Sequence, residues 1–197
     1  MTIFPRIELA LPAWLDAVAN PERVRLATVE ERMDFVVELA RQNVEQGTGG
    51  PFGAAIFERD TGQLLAPGVN LVVPAICSVA HAEMVAIMVA QQVVGNFDLG
   101  ADGLPAYELV ASTEPCAMCL GALPWSGIRS LVCGASKEDA ERHGFDEGDR
   151  PAHWIAGLGS RGIDVRCDVC RDAAIDVLAR YAELGGLTYN GRQGEIF

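Results

Sequence analysis

Two short motifs near the middle of the chain hold side chains that can bind a metal ion. His81 opens the first motif, and Cys116 and Cys119 form a C-x-x-C pair in the second. Cysteines three residues apart lie on one side of a helical turn, so both thiolates can reach the same ion. One imidazole and two thiolates suit zinc, and three protein ligands leave a fourth position open to water, which is typical of a catalytic site. The motifs therefore predict one zinc ion per chain.

Glu83 lies two residues after His81 and is predicted to move protons at the same site. Inside a helix, side chains at this spacing point nearly opposite ways, so the two converge only on a target beyond the helix N-terminus. The partial positive charge of such a terminus also favours thiolates. Zinc lowers the pKa of bound water to about 7, and a carboxylate that does not bind the metal can carry protons from water to a substrate.

The other cysteines leave further interpretations open. Cys167 and Cys170 form a second C-x-x-C pair, and the two pairs together suggest a four-cysteine structural zinc site. Their separation is far longer than the ~15–20 residues usual between such pairs, and that site would leave His81 without a role. A redox pair and two inert, half-buried thiols are the other interpretations of Cys167 and Cys170.

The charge balance of the chain argues against a nucleic-acid partner. The chain has 27 acidic and 15 basic residues, for a net charge of −12, and Lys137 is its only lysine. Proteins that bind phosphate backbones carry basic clusters, and none is visible in the sequence. We therefore expect a small-molecule partner and no nucleic acid, and the negative charge is expected to serve solubility.

Hydropathy argues against a membrane partner. No stretch reaches the ~18 uninterrupted apolar residues of a membrane span. Arg6, Glu8 and Asp16 interrupt the apolar N-terminal stretch, which is therefore not a secretory signal. Without export, the cysteines are better interpreted as metal ligands than as disulfides, and we expect a cytoplasmic protein.

The candidate residues fall at predicted junctions between strands and helices. Thr28 and Glu31 have the spacing of a helix capping box, so residues 1–27 are predicted to be an N-terminal arm and 28–186 the main domain. A hairpin with an expected bulge near Pro67 and Gly68 is followed by alternating helices and strands, which predicts a mixed sheet covered by helices on both faces. The predicted strands are 54–57, 64–72, 107–112, 130–133 and 163–166, and the predicted helices are 82–94, 116–125, 137–142 and 169–184, besides the capped one. Residues 187–197 form a predicted polar tail.

These motifs resemble those of a known enzyme family. The H-x-E…P-C-x-x-C pattern is the signature of zinc deaminases. The segments 49–54 (GGPFGA), 114–122 (EPCAMCLGA) and 144–147 (GFDE), with Asn70 and Trp125, resemble bacterial guanine deaminases of the cytidine deaminase-like superfamily. The similarity covers roughly 29–150 and the tail, and the arm is like that of a longer branch. The resemblance implies an α/β fold of three layers, α/β/α, with a central mixed five-stranded sheet.

The resemblance also implies roles for individual residues. Asn70 is expected to hydrogen-bond a purine ring, and Phe52 and Trp125 to pack on or beside its face. Gly53 would let the backbone approach the base. Glu147, where some relatives have Asp, would bind the ring and assist proton transfer. The remaining expected site residues are the zinc ligands His81, Cys116 and Cys119, the proton carrier Glu83, and Ala82 at the substrate.

The predicted activity is hydrolysis of guanine to xanthine and ammonia, with related amino-triazines as possible substrates. A homodimer is expected, with the tail near the active site as a possible lid. Deamination of adenosine in tRNA, or of a nucleoside or pyrimidine, uses the same motifs and is the alternative. A non-catalytic zinc module is the alternative from another class, but a structural site has no use for Glu83.

Overall fold

Five strands form one mixed sheet in the computed structural model, which describes residues 3–191. The sheet order is β2-β1-β3-β4-β5. β1 pairs antiparallel with both β2 and β3, whereas β3, β4 and β5 run parallel. The strands are β1 (Gly53–Glu58), β2 (Leu64–Val69), β3 (Tyr107–Thr113), β4 (Ser130–Ala135) and β5 (Asp164–Arg166). The mixed five-stranded sheet expected from the sequence is confirmed.

Helices cover both faces of this sheet. They are α1 (Leu15–Val18), α2 (Val29–Glu45), α3 (Ala82–Val94), α4 (Ala117–Ser126), α5 (Lys137–Arg142), α6 (Trp154–Gly159) and α7 (Arg171–Glu183). α2 and α7 pack on one face, around Phe57 and Val110, and α3 and α4 on the other, around Ile56 and Leu109. Successive strand residues thus serve opposite cores, as the two-residue period of a strand requires. This is the expected three-layer α/β/α arrangement.

The N-terminal arm lies against the α2 side of the domain. Leu15 and Ala19 are buried in the core beneath α2, and Arg25 forms an isolated antiparallel bridge with Gln63. The first two residues of the predicted arm lie outside the described residues. Among helices within residues 3–191, none combines the length and the apolar character that crossing a bilayer requires.

The hairpin differs from its prediction in a way that matters for the site. β2 ends at Val69 rather than at residue 72, and Pro67 and Gly68 pair regularly with β1. The register shifts instead between Ile56 and Phe57 of β1, which pair with Ala66 and Leu64 and leave Leu65 of β2 as the extra residue. A Cβ at position 68 would lie 2.2 Å from the carbonyl oxygen of Ala82. Gly68 is therefore needed for the close approach of the α3 N-terminus to the sheet.

Two short helices, α1 in the arm and α6, were not predicted from the sequence. α6 begins at Trp154, which lies outside every helix and strand predicted from the sequence. Gly157 and Gly159 lie inside this six-residue helix, and glycine costs about 1 kcal/mol relative to alanine in a helix. Leu158 is its buried residue, so packing under β5 rather than propensity accounts for the helix.

Candidate metal centre and active site

The N-termini of α3 and α4 converge at the metal-binding motifs. His81 is the N-cap residue of α3, and Cys116 is the N-cap of α4. Cys119, in the first turn of α4, donates its backbone N–H to the Cys116 Sγ at 3.5 Å. The two motifs therefore face a common point beyond both helix ends, which is the geometry expected from the i, i+2 spacing of His81 and Glu83.

The three candidate ligands have the spacing that zinc requires. His81 Nδ1 lies 3.5 Å from Cys116 Sγ and 3.6 Å from Cys119 Sγ, and the three ligand atoms all lie within 4.8 Å of one another. Zn–S bonds of ~2.3 Å and Zn–N bonds of ~2.0 Å at a tetrahedral angle place nitrogen and sulfur ~3.5 Å apart. The donor set and its geometry thus fit one zinc ion.

A hydrogen bond between the two thiols shifts their pKa values in opposite directions. A hydrogen bond from Cys119 is the main reason that the pKa of Cys116 falls to about 4, and donating that bond raises the pKa of Cys119. Burial lowers the pKa of His81, but its hydrogen bond to Cys116 and the nearby acidic groups outweigh burial and raise it. A bound zinc ion would take both sulfurs as thiolates.

Two carboxyl groups face the same site and are both buried. Burial raises the pKa of Glu83 to about 7, with a further contribution from the charge of Cys116. Burial also raises the pKa of Glu147 to about 8, helped by the charges of Cys116 and Glu83. Both groups can therefore take up and release protons near neutral pH, which suits general acid and base catalysis.

A cavity of about 350 Å³ opens over the metal motifs, within the ~300–1,000 Å³ range of small-molecule sites. Its walls come from the β1–β2 hairpin, the end of β3, the loop that holds Glu147 and the end of the described chain. Of the residues predicted from the sequence, those lining it are Phe52, Gly53, Asn70, His81, Glu83, Cys116 and Glu147.

Asn70 is held in the wall by a second buried asparagine. Its side-chain Oδ1 accepts from the backbone N–H of Val72 at 3.2 Å. The Asn43 amide donates to the carbonyl oxygens of Asn70 and Gly50, each at 2.9 Å. Within residues 3–191 the Asn70 Nδ2 has no acceptor, so it can donate to a bound molecule.

Gly53 lines the cavity, and its lack of a side chain serves a purpose that was not expected. A Cβ here would lie 2.4 Å from the carbonyl oxygen of Val36 and 2.9 Å from the backbone nitrogen of Ala40. Both residues belong to α2, beneath the sheet. Helix packing therefore requires glycine at position 53, and its expected role in the approach of a base stays a prediction.

Tyr189 is a cavity residue that the sequence did not reveal. Its ring lies 5.5 Å from the Phe145 ring and 6.5 Å from the His81 ring, between centroids. Its buried hydroxyl makes no hydrogen bond within the described chain. A Cβ at Gly50 would lie 2.6 Å from that hydroxyl, so the glycine at position 50 leaves the space that Tyr189 fills.

Two expected substrate residues lie away from the cavity. Trp125 is 85% exposed. It lies two residues after the buried Leu123, about 200° around α4 and so on the opposite face of the helix. Ala82 is fully buried under Gly68 of β2, where it packs the start of α3 against the sheet.

Cys167 lies beside Cys133 and not beside the metal motifs. A hydrogen bond from the Cys133 thiol lowers the pKa of Cys167. Across residues 3–191, the one group of three or more residues able to hold a metal is His81, Cys116 and Cys119. The alternative of a four-cysteine zinc site is therefore wrong.

Comparison with known proteins places the chain among zinc deaminases. Residues 27–135 match the cytidine and deoxycytidylate deaminase zinc-binding region. A solved structure of guanine deaminase from Nitrosomonas europaea is 50% identical and covers 93% of this chain and 98% of its own, with a TM-score of 0.85. NE0047 in complex with 2,6-diaminopurine is 52% identical over 95% of this chain and 98% of its own, with a TM-score of 0.88.

Similarity in sequence alone gives the same result. Guanine deaminase from Bacillus subtilis (strain 168) is 39% identical over 122 residues, which are 59% of this chain and 74% of that protein. The resemblance to bacterial guanine deaminases is thereby confirmed. Because the family match spans more than half of the chain and includes all three metal ligands, the chain belongs to the cytidine and deoxycytidylate deaminase zinc-binding family.

Proposed function

We propose that this protein hydrolyses guanine to xanthine and ammonia. The observation that carries the proposal is the placement of two buried carboxyl groups, Glu83 and Glu147, in one cavity with the zinc ligands. The named relatives support guanine as the substrate, and NE0047 with 8-azaguanine, which is 50% identical, supports a purine ligand.

In this proposal Glu83 moves the proton that comes from water. Zinc, when bound, supplies a water of lowered pKa at its open position. The Glu83 carboxylate takes the proton of that water as the oxygen attacks the carbon that bears the amine. It then delivers this proton to the neighbouring ring nitrogen, which receives the electron pair of the C=N bond.

Glu147 binds the other edge of the ring and completes the reaction. Guanine presents a ring N–H beside its exocyclic amine, and a carboxylate accepts hydrogen bonds from both. The hydroxyl group formed on the carbon that bears the amine gives its proton to the Glu147 carboxylate, which passes it to the amine. The C–N bond then breaks as the C=O bond forms, and the amine leaves as ammonia. Asn70, held by Asn43, is the proposed hydrogen-bond donor to an acceptor atom of the ring. Phe52 and Tyr189 enclose the ring, and Gly53 forms part of the cavity wall.

A substrate panel tests the proposal. The zinc-loaded protein is incubated with guanine, adenine, cytosine, cytidine and amino-triazines such as ammeline, and the ammonia released is measured. We expect the highest kcat/KM with guanine and lower values with the triazines, which present a similar edge. Higher turnover of adenine or cytidine, or of adenosine in a tRNA anticodon stem, would overturn the assignment to guanine.

We also propose that the protein is a homodimer that associates through α3 and α4. Phe97 and Trp125 are 82% and 85% exposed, and a hydrogen bond from Leu99 to Ser126 places the two segments side by side. Exposed aromatic clusters of this kind are typical of protein interfaces.

Sedimentation velocity tests the dimer. The wild-type protein should sediment as a dimer, and the double variant Phe97→Ser/Trp125→Ser as a monomer. Leu184→Ser, which removes an exposed apolar side chain on another surface, is the matched control and should remain dimeric. A wild-type protein that is monomeric at micromolar concentration contradicts the proposal.

A cytoplasmic location is part of the same proposal. All six cysteines are free thiols in the structure, which suits a reducing compartment. Alkylation of intact cells followed by mass spectrometry tests it, and disulfide-bonded peptides from this chain would argue against it.

A further inference from the structure

The loop that holds Glu147 has no regular secondary structure, and a buried arginine is among the groups that tie it to the metal motif. We propose that Arg150 is a positioning residue that holds this loop against the segment preceding Cys116 and thereby places the Glu147 carboxyl over the cavity. The inference rests on the role of Glu147 in the proposed function.

The Arg150 guanidinium bonds both residues that precede Cys116. Its Nη2 donates to the Glu114 Oε2 at 2.7 Å, and its Nη1 donates to the carbonyl oxygen of Pro115 at 3.2 Å. The side chains of Arg150 and Glu114 are only 7% and 13% exposed. Water therefore competes little with these bonds, and their direction is set by the planar guanidinium fork.

The flat face of the Arg150 guanidinium is covered by α6. The Arg150 Cζ lies 4.9 Å from the ring centroid of Trp154, the first residue of α6. An arginine over an indole face is the strongest common form of cation–π contact. Trp154 thus limits the guanidinium to the plane in which it meets Glu114 and Pro115.

Further bonds join the same two segments. The Glu114 Oε2 also accepts from the backbone N–H of Lys137 at 3.1 Å, and the Lys137 ammonium donates to the carbonyl oxygen of Gly148 at 2.6 Å. The backbone N–H of Ala117 donates to the carbonyl oxygen of Glu147 at 2.9 Å. Glu147 therefore lies inside a closed set of bonds, in which the Arg150 side chain contacts Glu114, Pro115 and Trp154 together.

Placement of this kind affects catalysis more than folding. A displacement of about 1 Å at a reacting group costs up to about 100-fold in rate. Arg150→Lys keeps the charge but loses the two-pronged donor and the planar stack. We expect this variant to bind zinc at wild-type stoichiometry and to lose about tenfold to 100-fold in kcat for guanine.

Arg32→Lys is a matched control at the opposite end of the sheet. Arg32 is equally buried, bonds the Glu108 carboxylate at 2.8 Å and the carbonyl oxygens of Leu26 and Arg59, and stacks on Phe57 at 5.9 Å. Its replacement should lower the melting temperature but leave kcat within about twofold of wild type at a temperature well below melting.

A double-variant cycle with Glu147→Gln tests whether Arg150 acts through Glu147. The measured quantities are kcat for guanine and the Kd of 8-azaguanine by calorimetry, each in zinc-loaded protein. If Arg150 positions Glu147, Arg150→Lys/Glu147→Gln should be no slower and bind no more weakly than Glu147→Gln alone. The proposal is overturned if the two losses multiply, if Arg150→Lys retains kcat, or if its loss follows zinc loss.

The test also separates this inference from the proposed function. If the wild-type protein does not deaminate guanine, the proposed function fails, and the binding arm of the cycle still decides the role of Arg150. If the wild-type protein is active and Arg150→Lys is equally active, the positioning role alone fails.

Discussion

Burial sets the chemistry of the two acids at the site. A carboxyl group far from water resists ionisation, so the pKa values of Glu83 and Glu147 rise to about 7 and about 8. Two such groups in one cavity also repel each other once charged. In the zinc-free protein at least one therefore holds a proton near neutral pH, and each is suited to a different step of a hydrolysis.

Glu83→Gln tests the proton transfer directly. The amide has the size of the carboxyl group but cannot accept the proton of water, so kcat should fall by ~10²–10⁴. Zinc content, measured by plasma emission, should stay near one per chain because Glu83 is not among the three ligands. A zinc-replete variant with full activity would contradict the mechanism.

The raised pKa of Glu147 predicts a pH-dependent stability for the zinc-free protein. Below pH 4.5 the group is protonated in both the folded and unfolded states, so it has no effect. Between pH 4.5 and 8 the folded state keeps a proton that the unfolded state releases, so stability falls as pH rises. Glu147→Gln removes this loss and should stabilise the zinc-free protein by roughly 4 kcal/mol at pH 8.5 but only about 1 kcal/mol at pH 5.5.

Urea unfolding of zinc-free protein at these two pH values measures the difference. Asp149→Asn, an exposed acid in the same loop, is the control and should show no comparable pH-dependent gain. An equal effect of Glu147→Gln at both pH values would show that the folded and unfolded pKa values of Glu147 are the same.

At the scale of elements, the predictions that succeeded depend on local chemistry. The capping box of Thr28 and Glu31 forms as expected, with the bond from the Glu31 N–H to the Thr28 Oγ at 3.1 Å. The predicted bounds of α3 and α5 are those observed. Helix caps, apolar periodicity and metal-ligand spacing each involve only a few neighbouring residues. These local signals were enough to predict the positions of the zinc ligands and Glu83 at the starts of α3 and α4.

The features that the sequence did not reveal depend on contacts between distant parts of the chain. The exposure of Trp125 is set by which face of α4 meets the sheet. The need for Gly53 comes from α2, and the position of Tyr189 from the space left by Gly50. The short helix α6 contains two glycines and has no local signal. None of these is fixed by the neighbouring residues alone.

The described end of the tail lies over its own cavity, and we propose that the predicted tail, 187–197, acts as a lid. Asn190 accepts from the backbone N–H of Asp146 at 2.9 Å and donates to the carbonyl oxygen of Gly144 at 2.8 Å. These bonds hold the loop of Glu147, while Tyr189 covers the metal side. The portion of the tail from 192 onward lies outside the described residues.

Deletion of 188–197 should therefore impair turnover more than folding. The deleted bonds and ring contacts lie at the cavity mouth, so kcat/KM should fall roughly 10–30-fold, which corresponds to two hydrogen bonds at ~1 kcal/mol each. The melting temperature should change little. Asn190→Ala should shift activity in the same direction, whereas a fully active truncated protein would show that the tail is not a lid.

At the scale of the molecule, the two ends of the sheet have separate tasks. The end where β3 begins is held by the buried pair of Arg32 and Glu108, with Ser130 donating to the other carboxylate oxygen at 2.8 Å. The end where β3 finishes leads into Cys116 and the cavity. Each end thus has a buried ion pair, Arg32 with Glu108 and Arg150 with Glu114, and only the second end adds acidic groups that face a cavity, Glu83 and Glu147.

Because the zinc site lies at one end of the sheet, the structure predicts how the protein responds to loss of zinc. The ligands come from α3 and α4, which already pack on one face of the sheet through an apolar core. Zinc should therefore add stability without being required for the fold. At a free concentration 1,000 times its Kd, a ligand stabilises by ~4 kcal/mol. For a chain of this size chelation should lower the melting temperature on the order of 10 °C, with the far-ultraviolet circular dichroism unchanged.

Cysteine variants show whether the drop in melting temperature on chelation comes from loss of zinc at this site. Cys116→Ser should lack zinc and melt like the chelated wild type, and adding chelator should shift it no further. Cys167→Ser is the matched control, because that thiol lies beside Cys133 and not at the metal motifs, so it should keep about one zinc per chain and its full response to chelator. Complete unfolding of the wild type on chelation would instead make the metal a structural requirement, since the two apolar cores would then be insufficient to hold the sheet and helices together without it.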